Sequence, residues 1–180
     1  MTGSVEDRFK AAVRERLSAL DERIAPILGA LFTHAYPPEI VALHFAIFSD
    51  GFTESFPVRA FFMDADNSEY FVYVDGTATY PSPVDPALLD LPCGVYEQSF
   101  EEPFVSEDAD LDTFTLAGEA LVDWFAQRWI AAGGEVFARQ ASIGLHDDAL
   151  TFDLIAQNEI SNSYNVGSSS RRITELLLEI

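Results

Sequence analysis

The sequence predicts an α+β domain in which a mostly antiparallel sheet of about five strands packs against an N-terminal helix and a central, tryptophan-bearing helix. Three observations carry this. Residues 4–35 hold apolar side chains at three- and four-residue spacing. Residues 40–74 alternate β-rich runs with turn signals. Residues 113–134, TFTLAGEALVDWFAQRWIAAGG, read as a long helix, after which two further strand-like runs follow.

In the first stretch, Phe9, Val13, Leu17, Leu20, Ile24, Ile27 and Leu31 form one stripe, the pattern of an amphipathic helix lying on a sheet. Ser4 and Asp7 have capping-box spacing. Pro26 is expected to kink or split the helix, and Tyr36-Pro37-Pro38 to end it. Strands are then expected over 40–48, 53–63 and 70–74, forming a meander with turns at Ser49-Asp50-Gly51 and at 64–68. Pro57 marks an edge or a bulge.

Residues 80–94 hold four prolines and read as an irregular crossing loop. A short edge strand is expected within 95–105, followed by the acidic run 106–112, SEDADLD. Beyond the central helix, strands are expected over 136–145 and 150–156, and an Asn- and Ser-rich loop over 158–170. The last eight residues, ITELLLEI, fit a short helix or a strand. With no internal repeat or linker, residues 1–180 are expected to form one domain.

Charge is the strongest compositional signal. Ten basic residues stand against thirty acidic ones, a net charge of −20. Residues 1–30 are neutral, whereas residues 31–170 carry three basic and twenty-three acidic side chains. Such a chain repels nucleic acid and anionic membrane surfaces and attracts cations or a basic protein. The single cysteine, Cys93, excludes an internal disulfide. The charged N-terminus is unlike a signal peptide, and no apolar run has membrane-spanning length, so a cytoplasmic protein is expected.

The acidic run offers two chemistries. Asp108, Asp110, Asp112 and Glu119 fall at positions 1, 3, 5 and 12 of a calcium-loop template. Against this, Thr113 stands where the template needs glycine, and no entering helix is expected. The other reading is an acidic helix start with Asp112 or Thr115 as N-cap, and on that reading no metal and no cofactor are expected. Glu119 and Asp123 lie one turn apart in the helix, so they face water or meet a cation. Trp124 and Trp129 read as core, although a partly exposed Trp124 beside acids would suit an interface.

His34, His44 and His146 share no metal-ligand spacing, and His146-Asp147-Asp148 reads as a polar turn. Cys93 lies in a loop and reads as a structural thiol rather than a nucleophile. No nucleotide-binding or hydrolase motif is present, so catalysis would have to rest on carboxylates, which the sequence does not pair.

The small, acidic, cysteine-poor layout, together with LVDWFAQRWIAAGG over residues 121–134, resembles immunity proteins of bacterial polymorphic toxin systems. That resemblance implies a non-enzymatic inhibitor of a basic toxin; a monomer or small homo-oligomer is expected. The partner-facing residues expected from the charge pattern are Glu101, Glu102, Glu107, Asp108, Asp110 and Asp112, with Trp124 as the aromatic anchor.

Overall fold

A computed structural model of the chain describes residues 3–48, 56–91, 97–146 and 150–161. Helices α1 (Val5–Ser18) and α2 (Asp21–Thr33) come first, followed by strands β1 (Ala42–Ile47), β2 (Phe56–Met63), β3 (Val72–Val74), β4 (Thr77–Thr79) and β5 (Ala87–Leu91). Helices α3 (Gln98–Val105) and α4 (Thr113–Ala131) precede β6 (Gln140–Leu145), β7 (Leu150–Asp153) and β8 (Asn158–Ser161). The six-stranded sheet runs β5-β2-β1-β6-β7-β8. All its pairs are antiparallel except β1 with β6. The class is α+β, with the N-terminal and central helices where the sequence puts them.

Ser4 caps α1 by accepting from the Asp7 amide, while Asp7 accepts from the Ser4 amide. The N-terminal stretch divides at Ala19–Leu20 rather than at Pro26, which lies inside α2. Proline removes one amide donor, but the buried stripe Ile24, Leu28 and Leu31 holds α2 together through it.

One face of the sheet receives the helices. Leu43, Phe45, Ile47, Phe62, Ala141 and Ile143 are buried there. Phe45 meets Phe125 and Trp129 of α4 at 4.9 and 5.7 Å between ring centres, and Trp129 meets Phe32 of α2 edge-on at 4.6 Å. Gly118 lets α4 close on the sheet, since a Cβ there would lie 2.6 Å from Leu145 Cδ1. Gly133 turns the chain out of α4 at φ 89°, and Gly134 packs against the Trp129 indole.

Several elements differ from the sequence expectation. Residues 72–74 do not extend the meander; they pair with β4 in a separate hairpin turning at Asp75-Gly76. The 64–68 turn does form: Asp64 Oδ1 accepts from the Asp66 and Ser68 amides, and Met63 bridges Glu69. The proline-rich 80–94 stretch contains β5, which takes the β2 edge. Pro57 lies where β2 has run past β1 and pairs only with β5, and the register shifts one residue later.

Residues 98–105 are helical rather than a strand, because Phe100 and Phe104, one turn apart, both pack on Phe9 of α1. The first residues of the expected 158–170 loop form β8. The Ser49-Asp50-Gly51 turn, Cys93, Asp147, Asp148 and the final ITELLLEI segment lie outside the described residues.

Candidate functional site

The most distinctive chemistry of the chain is how it disposes of its few cations. Helix α1 lies along α4 and turns its basic residues toward the acids of the α3–α4 region. Arg8 pairs with Glu107 at 2.5 Å, Lys10 with Glu119, and Arg14 with Asp123 at 2.8 Å. The i, i+4 pair Glu119 and Asp123 therefore meets cations. From α4, Arg128 pairs with Asp21 of α2 at 2.6 Å.

Three further arginines are engaged by groups of the fold. Arg139 donates to the Ile40 and Tyr36 carbonyls and fixes the chain between α2 and β1. Arg59 donates to the Tyr80 hydroxyl beside the Phe61 ring. Arg16 lies over Phe100 at 4.2 Å. Among the described residues, these ion pairs offset Asp21, Glu107, Glu119 and Asp123, and the other acids of the loop between α3 and α4, Asp108, Asp110 and Asp112, have no ion pair.

That loop and its flanks hold the sequence-predicted residues together. Glu102, Asp110 and Asp112 are exposed, and Glu101 and Asp108 are half-buried. Asp108 accepts from the Asp110 amide at 3.1 Å. Asp112 is the N-cap of α4 and accepts from the Thr115 amide at 3.1 Å and hydroxyl at 2.8 Å. The Thr115 amide, then its hydroxyl, hold the Asp112 carboxyl below the usual carboxylate range. The Arg8 hydrogen bond lowers Glu107 in the same way.

The calcium-loop expectation fares differently at each position. A helix, α3, does enter the loop, contrary to the sequence reading. Yet Asp112 caps α4 and Glu119 is drawn to Lys10, so these two carboxylates serve other partners. Among the described residues, no group of three or more His, Cys, Asp or Glu side chains could hold a metal ion.

Trp124 requires a correction. It is 4% exposed, and its indole donates to Asp21 Oδ1 at 2.8 Å. It lies between α4 and α2 because its N–H has an acceptor there, so no indole face is offered at the surface. Arg128, one turn on, shares that carboxylate.

Two clefts flank the sheet. The first, of about 410 Å³, lies between α4 and β6–β8. Its floor includes Val122, Leu145 and Phe152, and Glu119, Asp123 and Glu159 also line it. Phe114, 46% exposed, lines it directly after the Asp112 cap. The sequence hides this cleft because β8 lies in a stretch that reads as loop, and the pairing of Phe152 with Glu159 across β7 and β8 arises only in the folded sheet.

The second cleft, about 400 Å³, lies on the opposite face. There His44 Nδ1 is 3.0 Å from Ser142 Oγ, and Asp153 stands opposite Ser142 in register. Serine thus lies between the imidazole and the carboxylate, whereas a catalytic triad needs the imidazole between them. Asp153 is also engaged by the Ile155 and Ala156 amides at 2.8 Å each. Burial pushes His44 below the ordinary histidine range.

Among the described residues, no helix is long and apolar enough to cross a membrane. No protein-family model, curated protein or solved structure matches this chain.

Proposed function

We propose that this chain is a non-enzymatic acidic binding protein whose partner is a basic protein, in the manner of an immunity-type inhibitor of a toxin. The observation that carries this reading is that seven of the eight described Lys and Arg residues are engaged by the fold's own groups, Arg23 alone standing exposed outside these contacts. Arg8, Lys10, Arg14, Arg16, Arg59, Arg128 and Arg139 all serve the fold. The surface around Glu101, Glu102, Asp108, Asp110 and Asp112 is left strongly negative. A field of one sign steers an oppositely charged partner and accelerates association. Glu107 belongs to the same surface, with its charge shared with Arg8.

The test is to recover the partner with the tagged chain and to measure association at low and high salt. A basic protein is expected, with an association rate that falls about tenfold or more between roughly 50 and 500 mM salt. Replacing Glu102 and Asp110 together by Lys should slow association and leave the melting temperature little changed. An association rate indifferent to salt overturns the proposal.

A further inference from the structure

We infer that the cleft between α4 and β6–β8 seats an apolar side chain of the basic partner, flanked there by that partner's Lys or Arg residues. The inference rests on the acidic-partner reading and adds where the partner is anchored and by what kind of segment. The cleft combines two chemistries. Val122, Leu145 and Phe152 supply an apolar floor, and Glu119, Asp123 and Glu159 line it with three carboxylates against the single cation Lys10. Its volume of about 410 Å³ falls within the ligand-sized range of roughly 300–1,000 Å³.

Charge complementarity selects the occupant. An uncharged apolar ligand would leave Glu159 without a cation, since Glu119 and Asp123 already meet Lys10 and Arg14, and a purely basic segment would leave the floor wet. The rim acids remain accessible in spite of their pairing: Glu119 is 50% and Asp123 47% exposed, so an incoming cation can share them with Lys10 and Arg14. Among the described residues Glu159 has no ion pair. The cleft is also continuous with the acidic loop, because Phe114 and Thr115 line it immediately after Asp112. A segment lying across Asp110 and Asp112 reaches the floor without leaving the negative surface. Interfaces of this type concentrate their energy in one buried anchor with a charged rim.

The test uses two capped pentapeptides, Arg-Arg-Phe-Arg-Arg and Arg-Arg-Ala-Arg-Arg, titrated into the isotope-labelled full chain at about 50 mM salt. The phenylalanine peptide is expected to bind about tenfold tighter, as partial burial of one aromatic side chain supplies about 1.4 kcal/mol. Its amide shifts should centre on Gly118, Val122 and Phe152. Val122→Trp, which fills the cleft, should abolish the preference for phenylalanine. Glu159→Lys, on an exposed strand position, should weaken both peptides several-fold while preserving the fold, and it provides the rim test should Val122→Trp not fold.

Equal binding of the two peptides, with shifts confined to residues 101–112, overturns the cleft anchor and leaves the acidic-partner reading standing. Absence of binding by either peptide counts against both.

Discussion

The indole N–H of Trp124 donates to Asp21 Oδ1 at 2.8 Å, and Arg128 holds the second oxygen of the same carboxylate at 2.6 Å. One side chain of α2 thus satisfies a nearly buried donor and a cation of α4. Asp21→Ala leaves the indole N–H without an acceptor and should cost about 2–3 kcal/mol, since a stranded buried donor is expensive. Asp21→Asn retains an acceptor and should cost less than half of that. Urea denaturation followed by tryptophan emission measures both; equal losses for the two variants would mean that the charge, not the acceptor, matters.

Three glycines should respond differently to alanine. At Gly134 a Cβ would lie 2.3–2.5 Å from ring atoms of buried Trp129, so Gly134→Ala should cost about 2–3 kcal/mol through overpacking. At Gly118 the clash is with Leu145 Cδ1, the far end of a flexible side chain, and a helix gain of about 1 kcal/mol partly offsets it. Gly29 lies within α2, and a Cβ there would meet nothing within 4 Å, so Gly29→Ala should stabilise by about 0.5–1 kcal/mol. Thermal melts should place Gly134→Ala lowest, Gly118→Ala between, and Gly29→Ala highest.

His44 gives a pH dependence of known sign. Burial holds its folded pKa below the ordinary value of 6.5. Between that depressed value and 6.5 the unfolded chain binds a proton that the folded chain does not, so stability falls as pH drops below about 6.5. Once pH passes the folded pKa the loss stops growing. His44→Gln keeps a polar partner for Ser142 without titrating. Denaturation midpoints at pH 7.5, 6.5 and 5.5 should decline more steeply for the parent chain than for the variant; parallel slopes would refute this assignment.

Asp112 separates capping from calcium binding. Asp112→Ala should lose about 1 kcal/mol of stability, and Asp112→Asn far less, because asparagine caps about as well as aspartate. Millimolar calcium should leave the melting temperature of the parent chain unchanged. A calcium-dependent rise, lost in Asp112→Asn, would restore the metal loop.

The parts of the fold legible in the sequence are those where one periodicity dominates. The Phe9-to-Leu31 stripe and the 113–134 helix can be read because burial on a helix repeats every three or four residues. Residues 98–105 are harder, since Pro103 and the acids around it mask the Phe100–Phe104 pair that packs on Phe9. Strands β5 and β8 lie in segments rich in proline, or in asparagine and serine, and form because a neighbouring edge accepts them. That is tertiary context, which local propensity does not carry. In the same way the acidic loop is legible as charge, whereas the pairing of its neighbours with α1 is not. Nothing in the order of residues says that Lys10 and Arg14 lie against Glu119 and Asp123.

The parallel pairing of β1 with β6 has a kinetic consequence. It joins two antiparallel triplets, β5-β2-β1 and β6-β7-β8, along one seam where His44 and Ser142 are 98 residues apart. Neither triplet has both sides of its innermost strand satisfied until the seam closes, and closure waits on the intervening chain. The two halves therefore share one cooperative opening, and the β1 and β6 amides should be the last in the molecule to exchange with deuterium.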